Sequence, residues 1–124
     1  MECVCTDEAP AAVGPYSQAV VGGGLVFVSG QIPLDPATGN MVEGAFEDQV
    51  ERVLENLDAV LRASGWSRER VLKVTVFLTD MSRFAELNGA YENFFAGHRP
   101  ARAVVEVSAL PKGAALEMEA VAEV

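Results

Sequence analysis

Two charged runs near the C-terminus constrain the fold more than any other part of this chain. Residues 99–122 place two arginines and several carboxylates and hydroxyls inside stretches that are otherwise apolar. With the period of two that a strand requires, one face of the first run carries Arg102, Glu106 and Ser108. The other face is apolar and carries Ala103, Val105 and Val107. This run is therefore predicted to be a strand with one charged face and one core face.

The second run repeats the pattern. Its apolar positions are Leu116, Met118, Ala120 and Ala122, and they alternate with positions that include Glu117 and Glu119. A charge beside a core is unfavourable unless it is paired or used. Arg102 and Glu117 are therefore predicted to carry the chemistry of this chain.

The other elements follow from hydrophobic periodicity. Strands are predicted at residues 2–6, 16–21 and 25–29, and the glycines at 22–24 form a turn between the last two. A helix is predicted after Gly44, because apolar residues recur every three or four positions as far as Leu61, and Gly65 suits its C′ position. A second helix is predicted from about Ser82 to Gly97, with Asp80 or Ser82 as its cap.

A strand is predicted between the helices, at residues 71–79, with an apolar face formed by Leu72, Val74, Val76 and Leu78. With further strands at 102–107 and 115–122, the order is β, β, β, α, β, α, β, β. The predicted fold class is α+β, a mixed sheet of about six strands with two helices on one face.

The sheet face that the helices leave uncovered has a mixed character. It is predicted to carry Lys73, Thr75, Phe77, Arg102, Val104, Glu106, Glu117 and Glu119. This set is too apolar for a free solvent face and too polar for a sealed core, so we expect a subunit interface with polar pockets in a homo-oligomer. The alternative is a solvated sheet face in a monomer.

Composition narrows the class of protein. The 124 residues fit one domain, 1–124, and half of them are hydrophobic while 22% are charged, as in globular proteins. The net charge of −9 disfavours nucleic acid and anionic membranes as partners, because both repel an acidic surface. No apolar run has the length of a signal peptide or a membrane span, so a cytoplasmic location is expected.

Several other kinds of site are not expected. Cys3 and Cys5 are interpreted as reduced thiols, and His98 lies far from them in sequence, so no metal site is predicted. The glycines at 22–24 lack the spacing of a phosphate-binding loop. A Ser-His-Asp hydrolase is also not expected, because no serine lies in a nucleophile-elbow context.

A set of short motifs gives the chain a resemblance that covers nearly its whole length. The motifs are APAAVGPYSQA at 9–19, VSGQIP at 28–33, ENL at 55–57, KVTVFL at 73–78, PAR at 100–102, VEV at 105–107, LPK at 110–112 and EMEA at 117–120, together with Asn88, Tyr91, Phe94 and Phe95. In this order they resemble the RidA (YjgF) family of small imine deaminases. Each motif alone is weak, and the ordered set is specific.

The resemblance implies a fold, an assembly and a reaction. The fold would be chorismate-mutase-like, and three subunits would pack their sheets around a three-fold axis with one cleft at each boundary. Such clefts would hydrolyse 2-imino acids, such as 2-iminobutanoate and 2-iminopropanoate, to 2-keto acids and ammonia. The substrates would be released by pyridoxal-phosphate enzymes, and no cofactor would be involved.

The resemblance also assigns roles to residues. Arg102 would hold the substrate carboxylate with its two-pronged guanidinium, and Glu117 would polarise the attacking water. The cleft would be shaped by Tyr16, Ser29, Gly30, Asn88 and Pro111.

Two departures from the family pattern affect the predicted cleft. Many members have a cysteine two residues after the arginine, where this chain has Val104. The segment 96–99 is also shorter than in bacterial members, which would reshape one rim of the pocket.

Alternatives remain at the level of residues and of function. Arg102 could instead pair with Glu106 or Glu119 at an interface, and Glu117 could be a plain interface carboxylate. Two other functions are a non-enzymatic regulator that binds small carboxylates and a ribonuclease or translation inhibitor. The net charge of −9 argues against the ribonuclease.

Overall fold

A computed structural model describes residues 1–124, and it consists of six strands and two α-helices. In chain order these are β1 (Glu2–Val4), β2 (Ala19–Gly22), β3 (Leu25–Gln31), α1 (Phe46–Ala63), β4 (Val71–Leu78), α2 (Phe84–Phe95), β5 (Ala101–Glu106) and β6 (Leu116–Glu123). Short 3-10 turns precede β4, α2 and β6. The predicted order of elements is confirmed.

The strands form one mixed sheet in the order β1-β2-β3-β6-β4-β5. All neighbours are antiparallel except β4 and β5, which are parallel and are joined through α2. The turn between β2 and β3 places Gly23 and Gly24 at φ values of 61° and 77°. These left-handed values are what a two-residue hairpin turn of this hand requires.

Both helices lie on one face of the sheet, as predicted. The apolar side of α1 is buried, and Gly65 follows its end with a φ of 92°. The N-terminal end of α1 is capped by Asp48, whose carboxylate accepts a 3.1 Å hydrogen bond from the Ala45 N–H. The core of 24 buried residues lies between these helices and the sheet, and it includes Leu116, Met118, Ala120 and Ala122 of β6 as predicted.

The prediction for the faces of β5 is wrong. Arg102 pairs in register with Val74 and Val104 pairs with Val76, and both valines of β4 face the helices. Arg102, Val104 and Glu106 therefore lie on the helix side of the sheet, whereas Ala103 and Val105 lie on the uncovered side. The reason is that β5 is an edge strand beside α2, where long polar side chains reach solvent from the helix side.

The alternation predicted for the start of β4 is also wrong. A register shift between Val71 and Lys73 buries Val71 and leaves Leu72 44% exposed. From Val74 onward the predicted apolar face is confirmed by the burial of Val74, Val76 and Leu78.

The uncovered side of the sheet, here called the open sheet face, still has a mixed character. Its central members are Phe27, Lys73, Thr75, Phe77, Ala103, Val105, Glu117, Glu119 and Val121, which are in register across β3, β6, β4 and β5. Phe27 is 48% exposed and Val105 is 40% exposed. Neither helix has the length and apolar character needed to cross a membrane.

Candidate active site

A cavity of about 470 Å³ lies at one end of the open sheet face, between β3, β6 and the N-terminal segment. We call it the Glu117 cavity. It is lined by Pro10, Ala11, Val13, Tyr16, Gln18, Ser29, Gly30, Gln31, Ile32, Leu34, Pro111, Lys112 and Glu117. Five of the seven predicted site residues are therefore together, namely Tyr16, Ser29, Gly30, Pro111 and Glu117.

A bulge in β3 makes room for the Glu117 carboxylate. Val28 pairs with Ala120 and Gln31 pairs with Met118, so Ser29 and Gly30 together face a single residue of β6. Bulges of this kind redirect side chains and are frequent beside active sites. A Cβ atom on Gly30 would lie 2.8 Å from Cδ and from Oε2 of Glu117, which is too close. Only glycine at position 30 allows the carboxylate its present place.

Two buried amides hold the walls of this cavity. Gln18 is 3% exposed, and its Nε2 donates to the carbonyl oxygens of Thr6 and Pro10 at 3.0 and 2.8 Å. Asn56 on α1 is fully buried, and its Nδ2 donates to the carbonyl oxygen of Leu34 at 2.9 Å. These bonds satisfy loop carbonyls that would otherwise be unpaired, so they fix two segments that lie outside the sheet.

Ser29 is also held by the N-terminal segment. Its hydroxyl donates to the carbonyl oxygen of Ser17 at 2.6 Å, and its backbone N–H donates to the carbonyl oxygen of Gln18 at 2.9 Å. The hydroxyl proton is thus engaged, and the lone pairs of the oxygen are left as acceptors.

Glu117 has an environment suited to proton transfer. The side chain is half-buried, and burial raises its pKa above the ordinary glutamate value of 4.5, with a further increase from the neighbouring Glu119 carboxylate. A carboxylate with a raised pKa is a stronger base, because its charged form is less well solvated.

Arg102 lies in a second cavity, of about 400 Å³, on the helix side of the sheet edge. We call it the Arg102 cavity. It is lined by Asn88, Tyr91, Glu92, Phe95, Gly97, His98, Arg99, Pro100 and Arg102. The two remaining predicted site residues, Asn88 and Arg102, are therefore together here.

The Arg102 guanidinium is held by α2 and makes no ion pair. Its Nη1 donates to Oδ1 of Asn88 at 2.9 Å, and its Cζ lies 4.8 Å from the ring centre of Tyr91 and 5.5 Å from that of Phe84. Such stacking fixes the plane of the guanidinium and leaves its other N–H groups available. Within the chain Glu106 does not pair with Arg102, and its Oε1 accepts from the Met81 N–H at 2.8 Å.

Tyr91 supports Arg102 with a hydroxyl that has no partner of its own. Burial raises the pKa of Tyr91 to about 12, while the positive charge of Arg102 acts in the opposite direction. The hydroxyl is therefore neutral at physiological pH, and the ring serves as a surface for the guanidinium.

The short 96–99 segment forms the rim of the Arg102 cavity. Ala96 and Gly97 have φ values of 50° and 97°, so the chain leaves α2 through two left-handed residues. Nε2 of His98 lies 2.7 Å from the carbonyl oxygen of Val71, which ties the segment to the start of β4. The histidine is thus engaged in a structural contact.

The two cavities lie on opposite sides of the sheet. Arg102 is in register with Val74 on the helix side, whereas Glu117 is in register with Phe77 on the open sheet face. One chain therefore presents two separate groups of predicted site residues and does not bring Arg102 and Glu117 together. No group of three or more His, Cys, Asp or Glu side chains is arranged to hold a metal ion.

Sequence reasoning missed the buried amides of Gln18 and Asn56, the support of Arg102 by Tyr91 and the place of Lys112 in the Glu117 cavity. Polar residues inside apolar runs are a weak signal for such roles, because the same pattern describes a solvent-facing position. Their partners are loop carbonyls distant in sequence, which periodicity does not identify.

The sequence of this chain is similar to a family model and to curated proteins over most of its length. The model of the family described as endoribonuclease L-PSP matches residues 6–124. A RutC family protein of Pyrococcus horikoshii is 50% identical over 98% of this chain and 96% of its own length. The 2-iminobutanoate/2-iminopropanoate deaminase of Mus musculus is 44% identical over 96% of this chain and 88% of its own length.

Two solved structures are similar over the whole chain. RidA from a Psychrobacter species has a TM-score of 0.96 at 46% identity, with all of both chains covered. TdcF of E. coli, solved with bound serine, has a TM-score of 0.95 at 42% identity, with 100% of this chain and 99% of that chain covered.

Proposed function

Because this chain belongs to the RidA (YjgF) family, whose model carries the description endoribonuclease L-PSP, we propose that it is a hydrolytic deaminase of 2-imino acids. The products are 2-keto acids and ammonia, and small substrates such as 2-iminobutanoate and 2-iminopropanoate fit the proposal. The deaminase name of the mouse relative supports this reaction class.

The observation that carries the proposal is the unpaired guanidinium of Arg102. The chain has 18 aspartates and glutamates, and six ion pairs form within it, yet none of them involves Arg102. A fixed guanidinium with free N–H groups is suited to binding a carboxylate through two parallel hydrogen bonds. Every 2-imino acid carries such a carboxylate beside the reacting carbon.

Glu117 supplies the base in this proposal. Its carboxylate takes a proton from water while the oxygen of that water bonds to the C2 carbon of the imine, and the electron pair of the C=N bond moves to nitrogen. Glu117 returns this proton to the nitrogen, which gives a neutral carbinolamine. The C–N bond of the carbinolamine then breaks while the hydroxyl proton is passed through Glu117 to the departing nitrogen, so that ammonia and the ketone are formed. The atoms balance with water as the only co-reactant, and Glu117 moves protons in both steps.

The separation of the two cavities supports an assembled site. A small imino acid is too short to reach both sides of one sheet, so Arg102 and Glu117 must come from different subunits to act together. The apolar residues of the open sheet face provide a surface for such an assembly. We therefore propose a homotrimer in which the Glu117 cavity of each subunit meets the Arg102 cavity of its neighbour.

Subunit complementation tests the reaction and the shared site together. Arg102→Ala and Glu117→Gln homo-oligomers are each expected to be inactive in the hydrolysis of enzymatically generated 2-iminobutanoate. When equal amounts are mixed, denatured and refolded, about a quarter of the sites should combine an intact Glu117 with an intact Arg102 from the neighbour. Activity should therefore return to about a quarter of the wild-type value in that heterologous ring.

The control is each variant refolded alone, which should stay inactive. Full loss without recovery on mixing would contradict the shared site, because a site within one chain cannot be repaired by a second copy. A wild-type protein that does not accelerate imine hydrolysis would contradict the deaminase.

A second function is supported by one comparison. TdcF, with the same fold, was solved with bound serine, and serine also carries a carboxylate. The second candidate is thus a binder of small carboxylates that uses the same two cavities without turnover. Saturable binding of 2-oxobutanoate with no acceleration of imine hydrolysis would favour it over the deaminase. Endoribonuclease activity has less support, because a net charge of −9 repels a phosphate backbone.

A further inference from the structure

We propose that Lys112 captures the anionic substrate at the mouth of the Glu117 cavity, an inference that rests on the proposed function. Lys112 is the only basic residue among the 13 that line this cavity. It is exposed and belongs to none of the six ion pairs of the chain. Its positive charge is therefore available to a ligand.

The backbone at Lys112 is held in an unfavourable conformation. Its φ is 56° and that of Gly113 is 71°, within the turn Pro111–Gly113 that leads into β6. A residue with a Cβ atom is rarely found in this left-handed region, and an asparagine or a glycine is accommodated better. Stability alone does not favour a lysine at this position, which fits a role for its side chain.

The negative net charge of the chain is a physical reason for a positive side chain beside this cavity. With a net charge of −9, the protein repels an approaching carboxylate, and Glu117 and Glu119 add to this repulsion near the cavity. An exposed cation beside this cavity makes the local potential that the substrate meets less negative, in addition to the Arg102 that the neighbour contributes in the proposed assembly. The same steering acts on any small anion with a carboxylate.

Lys112 acts on substrate arrival rather than on proton transfer. Burial and the Glu119 carboxylate raise the pKa of Glu117, whereas Lys112 is exposed, so its charge faces an arriving substrate. Loss of Lys112 should therefore lower kcat/KM, whereas kcat is set by Glu117 and Arg102. Because the lysine is exposed, its effect should also be screened by salt.

The test compares Lys112→Asn with wild type in 2-iminobutanoate hydrolysis at several ionic strengths. Asparagine suits the left-handed backbone, so thermal melting should show no loss of stability. At low ionic strength we expect kcat/KM to fall roughly three- to tenfold while kcat changes less than about twofold. Above about 0.5 M salt the two proteins should have equal kcat/KM, because the Debye length is then only a few ångströms.

Two variants serve as controls. Lys112→Arg keeps the charge and should retain wild-type kcat/KM. Arg62→Gln removes the same charge from α1, at a position that does not line the Glu117 cavity, and should leave the kinetics unchanged. A drop in kcat/KM for Arg62→Gln that equals the drop for Lys112→Asn would overturn the proposal, because net charge alone would then explain it.

Equal kcat/KM for Lys112→Asn and wild type at low salt would also overturn it, and so would a decrease in kcat that salt does not alter. If wild type fails to accelerate hydrolysis, the proposed function is wrong, and equilibrium binding then decides the role of Lys112. Lys112→Asn should bind 2-oxobutanoate several-fold more weakly than wild type at low salt, with no difference for the neutral 2-oxobutanamide. Equal affinity of the two proteins for 2-oxobutanoate would reject the capture role.

Discussion

Glu117, the proposed base, would serve chemistry at the expense of stability. Its carboxylate is half-buried on β6, beside Glu119 and against the backbone of Gly30. Burial and like charge both disfavour ionisation, so the folded protein binds a proton at Glu117 more readily than the unfolded chain does. The ionised form needed for base catalysis is therefore the form that destabilises the fold.

Glu117→Gln separates these two effects. Glutamine resembles the protonated acid, so the variant should lose at least about a hundredfold in kcat, the lower end of what a general base contributes. At pH 7 its melting temperature should equal or exceed that of wild type. Below the ordinary glutamate pKa of 4.5 the two melting temperatures should converge, because Glu117 is then protonated in both folded and unfolded wild type.

The measurement is thermal unfolding of both proteins between pH 4 and pH 8, alongside the pH profile of wild-type kcat/KM. The wild type should lose stability relative to the variant as the pH rises through the raised pKa of Glu117. Its activity should decrease on the acidic side with a midpoint above 4.5. A variant that is less stable than wild type at pH 7 would show that the charged carboxylate is stabilising.

At the scale of elements, the β3 bulge is the feature that builds the site. It removes one residue from regular pairing with β6 and turns Gly30 toward Glu117. A methyl group at position 30 would displace the end of a flexible side chain rather than backbone, so the fold can accommodate it while the carboxylate moves.

Gly30→Ala should therefore lower kcat about tenfold or more, because a carboxylate displaced by an ångström no longer meets the water at the right geometry. Gly89→Ala is the matched control, since a Cβ atom there meets nothing within 4 Å and the residue lies inside α2. That change should retain activity and raise stability by about 0.5–1 kcal/mol, the helix preference of alanine over glycine. Steady-state kinetics and chemical denaturation measure both, and full activity in Gly30→Ala would contradict the close-contact argument.

The secondary structure elements also show how much of the fold hydrophobic periodicity predicts. Both helices, the central strands β3, β4 and β6, and the core face of β6 follow from periodicity, because each of these elements has a recurring buried side. Periodicity did not predict the side of the sheet on which Arg102 lies. An edge strand exposes polar side chains on either side, and alternation alone does not say which side is buried. The prediction for the start of β4 was wrong for a related reason. A register shift at Val71 changes the period of two that the prediction assumes.

The candidate site was predictable to a similar degree. Five residues that the motifs selected do line the Glu117 cavity, and two line the Arg102 cavity. Motifs identify the residues but carry no information about which side of the sheet each one occupies. The separation of Arg102 from Glu117 is a property of strand register, which only the folded chain displays.

At the scale of the whole molecule, the open sheet face would decide whether the proposed shared site forms. Phe27 lies near its centre on β3, and 48% of its surface is exposed in the single chain. In the proposed homotrimer the exposed half of this ring would be buried, which would contribute about 0.7–1.5 kcal/mol per subunit.

Phe27→Asp should therefore shift the protein from trimer to monomer and abolish imine hydrolysis, because a buried and unpaired carboxylate opposes association. Ala85→Asp is the control. It adds the same charge in the first turn of α2, on the helix side of the sheet, where the helix dipole tolerates an acid. Sedimentation equilibrium gives the oligomeric state and circular dichroism reports folding. A trimeric and active Phe27→Asp protein would exclude the open sheet face as the interface.

The placement of Arg102 and Glu117 on opposite sides of one sheet has a consequence for how such a protein can evolve. In the proposed homotrimer, one copy of a duplicated gene could lose the arginine and the other the glutamate, and a mixed ring would keep working sites at some of its boundaries. Two genes would then depend on each other for an activity that one gene once encoded. A symmetric enzyme with a divided site thus carries within its geometry a route to an obligate heteromer.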